Sequence, residues 1–138
     1  MTESELREAK RTIVADCLHR EFEAQATDIL RKEPTLTAID QKLDPMIRKY
    51  FHDLQRVYEY YTENPEKELE FDNQYYNCEK VGLICFILQE EFIKTIRDIL
   101  KKAKSLEDAD RQIQTPFEEL LRQKAAVRKY YGISEDTP

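Results

Sequence analysis

The stretch "VGLICFIL", Val81 to Leu88, constrains this chain most, because it holds no charge in a sequence that is 36% Asp, Glu, Lys and Arg. Eight apolar residues fall far short of the ~20 needed for a membrane-spanning helix, so the stretch reads as the interior of a fold. Periodicity alone admits a buried strand of this length. The helical spacing that follows it (Phe92, Ile93, Ile96, Ile99, Leu100, Ala103) and the lack of turn residues favour a helix. With apolar side chains on every face, it is expected to be the central helix, enclosed by the others.

Two glycines and five prolines in 138 residues leave little room for sheet turns. Glu, Lys, Leu, Ile, Arg and Gln dominate, and these are good helix formers. The expected fold is all-α, a single-domain helical bundle of about five helices. The net charge of −6 argues against a nucleic-acid partner, which needs a concentrated basic field. The polar start "MTESELREAKR" is no leader peptide, so an intracellular, cytoplasmic location and no membrane partner are expected. Cys78 and Cys85, seven apart on one helix, are separated by about 10 Å, too far for a disulfide. With Cys17 they are expected to be reduced, buried thiols.

Along the chain, Leu6, Ala9, Ile13, Cys17, Leu18, Phe22 and Ile29 mark an amphipathic helix over residues 4–31, ended by Pro34. A short connector, "TLTAIDQKL", leads to Asp44 and Pro45, read as the cap and first position of a second helix. Ile47, Tyr50, Phe51, Leu54, Val57, Tyr58 and Tyr61 form its stripe, His52 lies opposite, and Asn64-Pro65 breaks it. A long helix over 73–104, bent near Gly82, comes next. Ser105 and Asp108 resemble a capping pair for a short turn, and Thr115-Pro116 reads as the start of a last helix closed by Gly132. The expected division is 1–43 as an N-terminal helix and connector, 44–133 as the helical core and 134–138 as a disordered acidic tail. No long-period repeat is evident.

No catalytic signature appears. His19 and His52 lack metal-ligand spacing, and there is no Cys-x-x-Cys, phosphate loop or nucleophile elbow. No enzyme activity and no cofactor are expected. Lys94, Arg97, Lys101 and Lys104 share a helix face at steps of three and four. That row reads either as a solvated face or as a docking face for an acidic peptide or helix, to which Arg122 could add. Tyrosines such as Tyr58 and Tyr130 read either as core packing or as interface residues.

The segment "VYEYYTENPEKELEFDNQYYNCEKVGLI" resembles a degenerate EF-hand. In such a hand Tyr61 ends the incoming helix, residues 62–73 form the loop and Leu69 takes its apolar position. Thr62, Lys67 and Asn73 stand where the family has aspartate, glycine and the bidentate glutamate, so the loop should bind calcium poorly. A shifted register offers Glu68, Glu70, Asp72 and Glu79 as alternative ligands. "SLEDADRQIQTPFEELL" is a second half-match through Asp108, Asp110 and Ile113. The resemblance implies a calcium-free hand pair over residues 45–131, used as a docking scaffold of the cytoskeletal or ciliary kind. A plain helical bundle accounts for the same residues. The function expected is a non-catalytic protein-interaction module. The alternatives are a calcium-sensing module and a bundle that pairs with its own copy through residues 4–31.

Overall fold

In a computed structural model described over residues 1–62 and 71–134, the chain forms four helices: α1 (Glu3–Lys32), α2 (Leu36–Tyr61), α3 (Asn73–Lys102) and α4 (Leu106–Tyr131). The all-α expectation holds, with four helices in place of five. Both prolines read as helix starts, Pro45 and Pro116, lie inside helices. The caps stand about ten residues earlier. Thr35 Oγ1 accepts from the Ala38 N–H and Ser105 Oγ from the Asp108 N–H, both at 3.1 Å. An interior proline forfeits one backbone hydrogen bond and costs about 3 kcal/mol. At Pro45 the burial of Leu43 and Ile47 on either side offsets it.

The chain divides into two compact units, Met1–Tyr76 and Asn77–Pro138. The boundary expected at 43/44 falls inside α2. In the first unit α1 and α2 form an antiparallel hairpin around Phe22, Ala26, Leu43 and Ile47. Phe22 stacks on Tyr50 with ring centroids 4.3 Å apart, and the Tyr50 hydroxyl meets His19 Nδ1 at 3.0 Å. In the second unit α3 and α4 form another hairpin. Phe92 packs on Phe117 at 6.0 Å, and Lys124 Nζ donates to Gln89 Oε1 at 2.8 Å.

The two hairpins are the same object twice, which overturns the expectation of no repeat. Helix lengths run 30, 26, 30 and 26 residues, and each residue of the first hairpin matches the one numbered 70 higher. Glu21-Phe22 returns as Glu91-Phe92, Asp28-Ile29-Leu30 as Asp98-Ile99-Leu100, and Tyr60-Tyr61 as Tyr130-Tyr131. The geometry repeats as well. Eight residues line a cleft between α1 and α2, among them Leu18, Glu21, Phe22 and Tyr50. Each has its counterpart, 70 positions on, lining a cleft between α3 and α4, where Leu88, Glu91, Phe92 and Leu120 stand. Lys10 and Tyr61 line an open pocket of about 510 Å³. Their counterparts are drawn in, with Lys80 only 3% exposed and its ammonium 5.6 Å from the Tyr131 ring centre. Sequence periodicity missed the repeat because most core positions have changed identity while keeping their place, as Tyr50 and Leu120 do.

The apolar stretch is less enclosed than expected. Val81, Ile84 and Ile87 are buried, whereas Leu83, Cys85 and Leu88 are half-buried and Phe86 is exposed. In this unit α3 has one helical partner, α4, which leaves the side bearing Phe86 open.

Candidate interaction surface

Three of the sequence-predicted cations, Lys94, Arg97 and Lys101, lie along one side of α3, and Lys104 falls in the turn after its end at Lys102. Lys94, Arg97, Lys101 and Lys104 are all exposed, and Lys94 meets Glu91 at 3.4 Å. Three apolar residues that the sequence pattern assigns to the packed side run with them instead. Phe86, Ile93 and Leu100 are exposed and stand seven apart. At 3.6 residues per turn they form a single line, with Arg97 on it and Lys94 and Lys101 along one edge. The heptad spacing was legible, but a helix read as enclosed on all sides had no reason to show an outer seam.

The other predicted residues do not join that line. Arg122 sits on α4, where Glu119 holds its guanidinium with hydrogen bonds of 2.8 and 3.1 Å. Tyr130 is exposed at the far end of α4 and packs edge-on against Tyr131. Tyr58 is half-buried in the first unit. His52 is exposed, as its place opposite the stripe required.

The cysteines depart from expectation. Cys17 is exposed, and Cys78 and Cys85 are half-buried; all three are free thiols. Burial pushes the Cys85 thiol above its ordinary range, and the cations of Arg128 and Lys124 offset part of that rise.

Of the alternative calcium ligands, Glu68 and Glu70 lie outside the described residues, with most of the loop assigned by the EF-hand resemblance. The Asp72 carboxylate accepts from the Tyr75 N–H at 2.8 Å, which caps α3, and Glu79 lies inside that helix. The second half-match is helical from Leu106 onward, so Asp108, Asp110 and Ile113 sit on the first three turns of α4 instead of in a loop. Continuous α3 likewise runs through residues 88 and 89, where the hand pair needs two helices. No group of three or more His, Cys, Asp or Glu able to hold a metal occurs among the described residues. No helix there is long and apolar enough to cross a membrane.

At the start of α3, Phe51 of α2 is covered by Phe71, Tyr75 and Tyr76, with ring centroids 5.5–5.9 Å away. Arg48 fixes this cover from the side. It donates to Asn73 Oδ1 at 2.8 Å and lies over the Tyr76 ring at 4.4 Å. The residues of α4 that match Ile47 and Phe51, Phe117 and Leu121, are 43% and 51% exposed. Compared with models of protein families, with curated proteins and with solved structures, the chain has no significant match.

Proposed function

We propose that this chain is a non-catalytic docking module whose second hairpin receives an amphipathic helix with an acidic flank. One observation carries the reading: the exposed line of Phe86, Ile93 and Leu100 runs beside Lys94, Arg97 and Lys101 on α3. An apolar heptad line buries its side chains best against a second helix, and the flanking charges select orientation and partner. Cations along one edge favour glutamates at the facing positions.

A fluorescein-labelled peptide with leucines at heptad core positions and glutamates at the flanks serves as the probe. The expected result is saturable anisotropy that Ile93→Glu abolishes and Lys94→Glu with Lys101→Glu weakens at least tenfold. Binding that survives Ile93→Glu would sink the proposal, and so would no binding at all. Calcium sensing through Glu68, Glu70, Asp72 and Glu79 is the competing reading. It predicts a calcium-induced change in circular dichroism of the chelator-stripped protein, which the docking reading does not.

A further inference from the structure

The repeat pairs a filled socket with an empty one. On α2 the stripe of Leu43, Ile47 and Phe51 is largely covered: Leu43 and Ile47 are buried, and Phe51 is half-buried beneath Phe71, Tyr75 and Tyr76. Those covering residues open the second hairpin. On α4 the matching stripe is Ile113, Phe117 and Leu121, and the latter two remain open to solvent. The counterparts of Phe71, Tyr75 and Tyr76 are Met1, Glu5 and Leu6, of which the apolar Met1 and Leu6 are 84% and 48% exposed. One molecule therefore carries an uncovered socket on α4 and an uncovered plug at the start of α1. They correspond to the two halves of a contact already made between α2 and the start of α3.

We propose that the socket on α4 is filled by the plug of a second copy of this chain, so that molecules join head to tail, plug to socket. Met1 and Leu6 supply apolar side chains that Phe117 and Leu121 can bury. Such a contact is heterologous. The donor surface differs from the acceptor surface, and assembly does not stop at two copies unless the rotation closes a ring. Three residues are unfavourable. Glu5 puts a carboxylate where the covering cluster has the Tyr75 ring. Glu118 stands where α2 has Arg48, and Glu3 where α3 has Asn73, so two carboxylates replace a cation and an amide. The intermolecular contact is accordingly weaker than the intramolecular one and appears as protein concentration rises.

Sedimentation equilibrium of the full chain over a wide concentration range tests this. The average mass is expected to climb past that of a dimer. Leu121→Glu on the socket and Leu6→Glu on the plug should each hold the chain at the monomer mass, with unchanged circular dichroism because both residues are exposed. Mixing the two variants should restore association but cap it at a pair, since only one intact socket meets one intact plug. Ile93→Glu, on the α3 line proposed for helix docking, should assemble like the unmodified chain, which separates this contact from that one. A monomer at every concentration would overturn the proposal. So would a dimer plateau untouched by Leu6→Glu, which would mean that two α4 faces meet directly. Should Leu121→Glu lose helicity, Leu121→Ser at the same position replaces it in both the single and the mixing measurement.

Discussion

Ile84 is the most buried side chain of the apolar stretch, at 1% exposed. Replacing it with alanine should cost about 2–5 kcal/mol, the range for emptying a tight aliphatic site. Leu88→Ala, at a half-buried cleft position, should cost distinctly less. Urea unfolding followed at the helical band compares the two, and equal losses would contradict the one-sided packing of α3. A second residue governs behaviour in acid. The Asp108 carboxylate accepts from the Lys104 N–H and from Gln112 Nε2, both at 3.1 Å, and these bonds hold its acid below the usual range. A carboxyl depressed in the folded state stabilises fully above its unfolded value and loses that contribution as pH falls through the folded one. Asp108→Asn should therefore shrink the drop in melting temperature between neutral pH and about pH 3, measured by circular dichroism against the unmodified chain.

At the scale of the helix, the two glycines pull in opposite directions. Gly82 lies within α3, and a methyl group there would meet no atom within 4 Å. Gly82→Ala should stabilise by roughly 0.5–1 kcal/mol, because the unfolded chain loses freedom and the helix loses nothing. Gly132 ends α4 with φ of 68°, and the Ile133 N–H closes the cap on the Arg128 carbonyl at 2.9 Å. Gly132→Ala should cost about 1–2 kcal/mol, the penalty of a side chain in the left-handed region. Paired thermal melts check both signs. The cap at Gly132 was readable from sequence because few other roles demand glycine there, whereas Ser105 reads in the sequence as the cap of a short turn only. The starts of α2 and α4 were not readable. A proline after Asp44 or Thr115 looks the same whether it opens a helix or interrupts one, and burial around it, absent from the sequence, decides.

For the molecule as a whole, the helical class followed from composition, but the duplication did not. Core positions such as Ile39 and Ala109 preserve apolar character and place, whereas surface positions such as Arg48 and Glu118 have reversed charge. A reader scanning for matching letters sees the surface first. The candidate surface was half legible: the cations of α3 stood out, and the apolar line among them disappeared once the helix was assumed to be enclosed. The short connectors Glu33–Thr35 and Ala103–Ser105 carry one more consequence. Each helix of a pair finds its partner by closing a tight turn, so the hairpin's contacts join residues that are near in the chain, and little loop entropy must be lost before they form. Folding should be quick. Changes near Thr35 or Ser105 should slow it, whereas changes at Lys10 or Lys80, far from the turns, should mainly alter how long the native hairpin survives.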